Sequence, residues 1–372
     1  MIFEKSEYSA RLDNVRAAMR AREIDLLIVD QSEFLIYLTG FSISENMYRA
    51  CLVPLNGEPV MVLRAVDLGP FEDSSWLDQA VAFADWEHPV AVMAKTIHDM
   101  GFAARRVGID EESYCMPLKR FRQLEGLLPD TKFVDFSGVL ECLRARKSDA
   151  EIALIRQAAR IADLGISAAV EDVGEGRSAR DAAAVVHQVF MKEGADTSRA
   201  GIITAGVGNN FLHGYLTDTS LKSGEILHLE LLPFVQGYSA RIMRPVVIGP
   251  LGERARVAEL LLEIQDRQFA AMKPGATACD VDAIAREGLL AAGLRPDYLN
   301  ITGYNLGLYP IHTPRTSDFT RIFLPTSKWQ LEPGMVFHMY VSASGLAFSE
   351  TILITEHGFE RLTQSPRKVF EA

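Results

Sequence analysis

The sequence predicts a two-domain protein of the α+β class, in which a smaller α/β domain precedes a larger domain of paired helices and antiparallel strands. Length is the first reason, because 372 residues exceed one domain of ordinary size. Patterning is the second, because short strands alternate with helices early in the chain, whereas later helices come in pairs and strands cluster. We place the boundary near residue 140, which predicts domains of residues 1–140 and 141–372.

Periodicity and turn signals predict the elements of the first domain. Tyr8, Leu12, Val15 and Met19 recur at helical spacing, so an amphipathic helix is expected over 6–22. The Asn-Gly pair at 56–57 is typical of a hairpin turn between two apolar runs. The expected strands cover residues 25–29, 50–54, 59–63, 79–83, 106–109 and 132–135.

A charged stretch at residues 144–151 opens the second domain with a long helix that runs to about residue 170. Ser148 can cap that helix, with Glu151 three residues on as the capping-box partner. Further helices are expected at about 178–193, 254–272 and 278–292. The expected strands cover residues 226–233, 243–248, 335–341 and 351–355.

Composition narrows the range of partners and locations. The net charge is −11, from 49 acidic and 38 basic residues, which argues against a general nucleic-acid binder. No apolar run approaches the roughly 18 residues that span a membrane, and charges near the N-terminus argue against a signal peptide. The 4 cysteines are scattered without the spacing of a zinc site. We therefore expect a cytoplasmic protein that binds neither nucleic acid nor membranes.

Short motifs along most of the chain resemble those of one superfamily. They lie at residues 37–41 (YLTGF), 146–152 (RKS and EI), 224–230 (GEILHLE), 332–337 (EPGMVF) and 349–356 (SETILITE). In their order and spacing they are similar to the superfamily of methionine aminopeptidase, prolidase and creatinase. The resemblance implies a pita-bread C-terminal catalytic domain preceded by a smaller creatinase-type α/β N-terminal domain.

The resemblance also bears on metal binding, because the metallopeptidases of this superfamily hold two metal ions with Asp, Asp, His, Glu and Glu as ligands. The corresponding positions in this chain are Glu230, Arg241, Tyr304, Tyr340 and Ser349. A guanidinium has no lone pair for a metal, and only one of these residues is a carboxylate. We therefore expect no metal, no cofactor and no ordinary peptidase activity.

Within the superfamily the chain is most similar to the metal-free creatinase and ectoine hydrolase branch, which implies a homodimeric hydrolase. His213 stands seventeen residues before Glu230, which is the spacing of a catalytic-pocket His in that superfamily. His213 is thus the implied acid/base, and Glu230 is the first implied partner of a substrate cation. The other implied substrate contacts are Arg315, Tyr304, Tyr340, His338, Glu350, and Arg49 or Arg64 reaching into a partner subunit's site.

The reaction that these residues suggest is hydrolysis of a C–N bond in a small zwitterionic amidine, guanidine or cyclic amide. A cation in a closed pocket needs carboxylate partners. An imidazole can take up and return a proton at neutral pH, and an arginine such as Arg315 suits the substrate's carboxylate. The positive charge of the substrate makes its own carbon electrophilic, so the reaction does not require a metal.

Several alternatives remain open from the sequence alone. Glu230 could form a structural ion pair with Arg241 or Arg244. Neighbouring residues on a strand face opposite ways, so either Ser349 or Glu350 faces the pocket. The implied aromatic contacts could be packing side chains. The chain as a whole could be an Xaa-Pro type metallopeptidase with an unusual ligand set, or a non-catalytic ligand-binding protein.

Overall fold

The computed structural model describes residues 1–41, 46–197, 201–206, 212–311, 313–317 and 319–372. The chain divides into two compact units. Residues 1–144 form the N-terminal unit together with residues 313 and 314, and residues 145–311 and 315–372 form the C-terminal unit. A search of the described ranges finds no helix with the length and apolar character needed to cross a membrane.

Helices and strands alternate along the N-terminal unit. Its described helices are α1 (Lys5–Ala21), α2 (Ser32–Thr39), α3 (Leu68–Ser74), α4 (Pro89–Asp99), α5 (Leu118–Leu127) and α6 (Val139–Arg144). Its described strands are β1 (Leu26–Val29), β2 (Ala50–Pro54), β3 (Val60–Arg64), β4 (Ala80–Phe83), β5 (Arg106–Ile109) and β6 (Lys132–Asp135). The strands predicted from the sequence are confirmed to within a residue at each end.

One mixed sheet joins these strands in the order β4-β3-β2-β1-β5-β6. Strands β2 and β3 form the antiparallel hairpin predicted at the Asn-Gly pair, with Ala50 opposite Val62. Helix α1 buries Tyr8, Val15 and Met19, as its periodicity predicted. Apolar side chains of α4 pack with those of the central strands in a single buried cluster.

The C-terminal unit carries longer elements. Its described helices are α7 (Asp149–Asp172), α8 (Ala179–Glu193), α9 (Arg254–Ala270) and α10 (Ala278–Ala291). Its described strands are β7 (Gly201–Gly206), β8 (Ile226–Leu231), β9 (Phe234–Val235), β10 (Tyr238–Ser239), β11 (Ile242–Val247), β12 (Gly303–Asn305), β13 (Ile322–Phe323), β14 (Val336–Ala343), β15 (Leu346–Ile354), β16 (Phe359–Arg361) and β17 (Phe370–Glu371).

A large antiparallel sheet runs through this unit in the order β13-β12-β14-β15-β11-β8-β7, with β16 on β15 and β17 on β11. Helix α7 begins at the predicted capping box, in which Ser148 and Glu151 bond reciprocally. It packs closely enough that a Cβ on Gly165 would lie 2.9 Å from Leu231 Cδ1. The α+β fold class predicted from the sequence is confirmed.

The register of this sheet decides which side chains can meet. Met243 on β11 lies between Glu230 on β8 and Ser349 on β15, and Ser349 in turn pairs with Tyr340 on β14. Because directly paired residues point to the same side, these four side chains share one face of the sheet. Glu350 follows Ser349 and therefore points to the opposite face.

The opposite face holds a buried ion pair, in which Arg244 Nη2 lies 2.8 Å from Glu350 Oε1 and both side chains are fully buried. Glu350 also accepts a hydrogen bond from Thr363 Oγ1. Arg244 donates to the backbone carbonyl oxygens of Met243, Ser349, Ser365 and Pro366. This guanidinium therefore ties β11 and β15 to the C-terminal segment, with all its donor groups engaged.

We expect Arg244→Lys to destabilise the protein by about 3–5 kcal/mol, although it keeps the charge. An ammonium cannot reproduce the planar fork, so buried carbonyl oxygens and Glu350 would lose their partners. Denaturant unfolding measures the loss. The matched control is Arg64→Lys at the solvent-accessible Arg64–Asp85 pair, where we expect unchanged stability. Equal effects of the two substitutions would contradict the structural role of Arg244.

Candidate active site

A pocket of about 300 Å³ lies in the C-terminal unit, on the sheet face that carries Glu230. We call it the Glu230 pocket. Side chains with polar groups line one part of it: His213, Glu230, Arg241, Asn300, Thr316, Tyr304 and Tyr340. Apolar side chains line the rest: Ile202, Leu212, Met243, Ile301 and Phe319.

Glu230 and Arg241 form an ion pair within this lining. Arg241 Nε lies 2.6 Å from Glu230 Oε1, and the two residues are only 9% and 2% exposed, respectively. Burial alone would raise the pKa of Glu230, but the Arg241 guanidinium, together with the His228 imidazole 3.7 Å away, lowers that pKa to about 2. Glu230 is therefore a carboxylate at neutral pH, and its charge is balanced by a guanidinium of the same chain.

The backbone of Arg241 is clamped by Thr351 on β15. The Arg241 N–H donates to Thr351 Oγ1, and the Thr351 hydroxyl donates to the Arg241 carbonyl oxygen, each over 2.8 Å. Burial lowers the pKa of the Arg241 guanidinium, but the negative charge of Glu230 more than offsets this and raises that pKa above its usual value. The pocket thus contains a permanent positive charge on a rigid strand end.

Three aromatic rings stand beside this charge. The ring centroids of Tyr304 and Phe319 are 5.6 Å apart with planes at 31°, and those of Tyr304 and Tyr340 are 6.5 Å apart at 67°. The guanidinium carbon of Arg241 lies 5.6 Å from the Tyr304 centroid, which is a cation–π distance. The rings therefore form a wall of different orientations around the space next to Arg241.

Both tyrosine hydroxyls keep their protons at neutral pH. Burial raises the pKa of Tyr304 well above its ordinary value and that of Tyr340 to about 12. Asn300 Nδ2 donates to the Tyr340 hydroxyl oxygen over 3.0 Å. The Tyr340 oxygen accepts in that bond, so its own proton is directed elsewhere.

His338 contacts both tyrosine rings, with centroid distances of 5.0 Å to Tyr304 and 5.5 Å to Tyr340. It is fully buried, and burial lowers the pKa of its imidazole to about 3. His338 is therefore neutral and supports the aromatic wall from within the protein. His338 is not among the described residues that line the pocket.

His213, the implied acid/base, lines the same pocket as Glu230 and Arg241. It is an exposed residue, so solvent can reach it. The pocket thus brings together His213, Glu230, Tyr304 and Tyr340 from the residues that the sequence pointed to. Among the lining residues that have no positive role in the sequence analysis are Arg241, Asn300 and Phe319.

Three implied substrate contacts, His338, Glu350 and Arg315, are not among the described residues that line the pocket, and a fourth, Glu230, already has a partner. Glu350 is bonded to Arg244 on the other face of the sheet, because it follows Ser349 on a regular strand. Arg315 is half-buried and neighbours the pocket residue Thr316, but it is not among the described lining residues. Glu230 faces the pocket, yet it offers no unpaired carboxylate to a substrate cation because Arg241 already neutralises it.

The two arginines of the N-terminal unit have local contacts. Arg49 is buried, with its Nη1 atom 3.7 Å from Cys115 Sγ. Arg64 Nε donates to Asp85 Oδ1 over 2.6 Å. Their reach into a partner subunit's site stays a prediction of the resemblance.

The positions implied as metal ligands do converge, but their chemistry does not fit a dinuclear metal centre. Divalent ions need several anionic or imidazole donors. Here the donors are one carboxylate, two protonated phenols and the hydroxyl of Ser349, beside the guanidinium of Arg241. Throughout the described ranges, no three His, Cys, Asp or Glu side chains are grouped so that they could hold a metal ion.

Of the pocket residues without a predicted role, only Arg241 has a signal in the sequence. A basic residue at a ligand position, eleven residues after Glu230, indicates that a fixed cation has replaced an ion, whereas from the sequence alone Arg241 is given only as a lost ligand or as a structural partner of Glu230. Asn300 and Phe319 carried no comparable signal, because both lie in connections between elements where spacing gives no orientation.

Comparison with known proteins gives relatives that differ in activity. Ectoine hydrolase of Halomonas elongata is 29% identical, with 99% of this chain and 98% of that protein covered. Xaa-Pro dipeptidase of Pyrococcus furiosus is 32% identical, over 64% of this chain and 68% of that protein. The crystal structure of the prolidase from Pyrococcus horikoshii OT3 matches with a TM-score of 0.85, at 23% identity over 97% of this chain and 100% of that one, which shows the shared fold.

Family models divide the chain between them. The model of the creatinase/prolidase N-terminal domain matches residues 11–146. The model of metallopeptidase family M24 matches residues 153–356, which is more than half of the chain. The protein therefore belongs to metallopeptidase family M24, in the creatinase/prolidase superfamily of hydrolases, with a creatinase-type N-terminal domain and a pita-bread catalytic domain.

Proposed function

We propose that this protein is a metal-independent hydrolase of a C–N bond in a small zwitterionic amidine, guanidine or cyclic amide. The observation that carries the proposal is the Arg241 guanidinium, which lies 2.6 Å from Glu230 among the positions where metallopeptidases of the superfamily hold metal ligands. A fixed cation there repels a divalent ion and supplies positive charge itself. Similarity to an ectoine hydrolase along 99% of the chain supports a non-peptide substrate.

The proposed reaction uses His213 as both base and acid. A water molecule attacks the electrophilic carbon, a new C–O bond forms, and His213 takes one proton from the water. His213 then returns that proton to the departing nitrogen, and the C–N bond breaks. The C=O bond forms as the remaining O–H proton passes to the released amine, which carries away the positive charge of the substrate. One water is consumed and the imidazole ends neutral, so the cycle needs no further reactant.

An Xaa-Pro metallopeptidase is the second candidate function. The observation that favours it is the 32% identity to the Pyrococcus furiosus dipeptidase, which covers 64% of this chain. The donor set of the Glu230 pocket argues against it, because Arg241 and two protonated phenols stand where metal ligands are needed. The requirement for a metal separates the two candidates.

We expect His213→Ala to lower turnover by about two to four orders of magnitude, because it removes the only proposed proton carrier. Turnover is measured by mass spectrometry, as one product heavier by one water for a cyclic amidine such as ectoine and as two cleavage products for an acyclic guanidine such as creatine. The melting temperature should not change, since His213 is exposed. His357→Ala, at another exposed histidine, is the matched control and should keep turnover. Near-normal turnover of His213→Ala would remove this residue from the mechanism.

We expect Glu230→Gln to destabilise the protein by about 3–5 kcal/mol, because it leaves the buried Arg241 guanidinium without its counter-charge. The double substitution Glu230→Gln with Arg241→Gln should recover part of that loss. Denaturant unfolding of both variants measures the effect. A fully stable Glu230→Gln that no longer binds cationic ligands would show instead that Glu230 contacts substrate directly.

The same ion pair should give the protein a defined acid sensitivity. The pKa of Glu230 is lowered from 4.5 to about 2 in the folded protein. Its contribution to stability is therefore fully present above pH 4.5 and is lost as the pH falls toward 2. Glu230→Gln should flatten the pH dependence of stability in that range.

We expect chelation with EDTA to leave turnover of the amidine panel unchanged, because the pocket lacks a ligand set for a divalent ion. Dipeptides ending in proline should not be cleaved in the presence of added manganese or cobalt. Elemental analysis of the purified protein provides the independent measurement. Loss of activity on chelation with recovery on adding a divalent ion would favour the metallopeptidase.

A further inference from the structure

We propose that the cationic end of the substrate is held by the faces of three aromatic rings, Tyr304, Phe319 and Tyr340, while Arg241 binds the substrate's carboxylate. This inference rests on the proposed function, because it specifies how the Glu230 pocket receives that class of substrate. The ligand class is a small planar amidinium or guanidinium that carries a carboxylate. The orientation is the reverse of one in which a pocket carboxylate meets the cation.

The pocket offers little free negative charge to a substrate cation. Among the described residues that line the pocket, Glu230 is the only acidic one. Its carboxylate already contacts Arg241 Nε at 2.6 Å. A substrate cation would have to displace a buried guanidinium to reach it, which is unfavourable because Arg241 would then lose its counter-charge.

The positive charge of the pocket lies on the Arg241 guanidinium. Arg241 contacts Glu230 through Nε, and a guanidinium carries its other donors on the two terminal nitrogens. Those donors match the geometry of a carboxylate in a two-pronged bond. Arg241 lines the pocket and is clamped through its backbone by Thr351, so a carboxylate would bind without reorganising the strand.

The rings of Tyr304, Phe319 and Tyr340 are the groups that can bind a cation. Aromatic faces attract cations through their quadrupole, and they do so best where water is excluded. Tyr304 already faces one planar cation, since the Arg241 guanidinium carbon lies 5.6 Å from its centroid. The ring planes of Phe319 and Tyr340 stand at 31° and 67° to that of Tyr304, and all three residues line the pocket.

The position of Phe319 favours a role in cation binding over a role in packing alone. The residue is 55% exposed, and its φ of 59° lies in the left-handed region, which a bulky side chain rarely adopts. Exposure and backbone strain both count against the folded state, yet the ring is directed at Tyr304 in the pocket. Strain of this kind is typical of ligand-binding positions, and a ring that contacts substrate accounts for it.

The test compares two probes of similar size by isothermal titration calorimetry on the full-length protein. Ectoine carries an amidinium and a carboxylate, whereas cyclohexanecarboxylate carries only the carboxylate. The His213→Ala background prevents turnover during the titration. Mono- and trifluorinated phenylalanine replace Phe319 in turn, because fluorine weakens the quadrupole of the ring while keeping its shape.

We expect ectoine affinity to fall stepwise along the fluorinated series, by roughly five- to thirty-fold in all, while cyclohexanecarboxylate affinity stays constant. Phe319→Asn should weaken ectoine binding without lowering the melting temperature, because Asn tolerates the left-handed backbone. The double substitution Glu230→Gln with Arg241→Gln should weaken both probes. A flat fluorinated series, or failure of ectoine to bind at millimolar concentration, would overturn the proposal.

The binding experiment and the turnover experiment can fail independently of each other. Cation-selective binding without turnover in the wild-type protein would reject the proposed hydrolase function and support the aromatic binding mode. Turnover together with a flat fluorinated series would keep the hydrolase and reject the aromatic binding mode.

Discussion

The site depends on one ion pair, the contact between Glu230 and Arg241. Burying a carboxylate or a guanidinium alone is costly, and each is present here because the other compensates its charge. The carboxylate is engaged by Arg241 Nε, and both residues of the pair line the pocket. Burial raises the pKa of both phenols and keeps them protonated against the opposing effect of Arg241. Burial and the positive charge of Arg241 together lower the pKa of His338 and keep it neutral.

Two buried arginines three positions apart show how the sheet separates structure from function. Arg244 faces away from the pocket, and Glu350 with a set of backbone carbonyl oxygens engages its donors. Arg241 lies at the strand end, faces the pocket, and contacts a carboxylate through Nε. A fully satisfied guanidinium contributes rigidity, whereas one with donors directed into a cavity can bind an anion. Register alone places the two side chains on different faces.

Many of the helices and strands could be predicted from the sequence, because strong local signals decide local structure. The capping box at Ser148 and the Asn-Gly hairpin are both confirmed. Helix α2 was not predicted, because nearly all of its eight residues are buried and no polar face marks its periodicity. Strand β15 begins at Leu346, earlier than predicted, because Ser344 and Gly345, both with positive φ, form the turn directly before it. Spacing identified the positions that converge, but it could not show that Glu230 pairs with Arg241 rather than with Arg244.

Family membership fixes the scaffold more firmly than the chemistry, and the pocket shows why. A metal ion in a hydrolase supplies positive charge, generates a nucleophile and orients the substrate. In the proposed mechanism these tasks belong to separate groups of this chain: Arg241 supplies charge, His213 activates water, and the aromatic wall orients the cationic end. Each group acts only on a substrate that carries matching chemistry, a carboxylate, an electrophilic carbon and a planar cation. A site divided in this way gives up the generality of a metal centre, which polarises any carbonyl bound to it, and gains selectivity for small zwitterions.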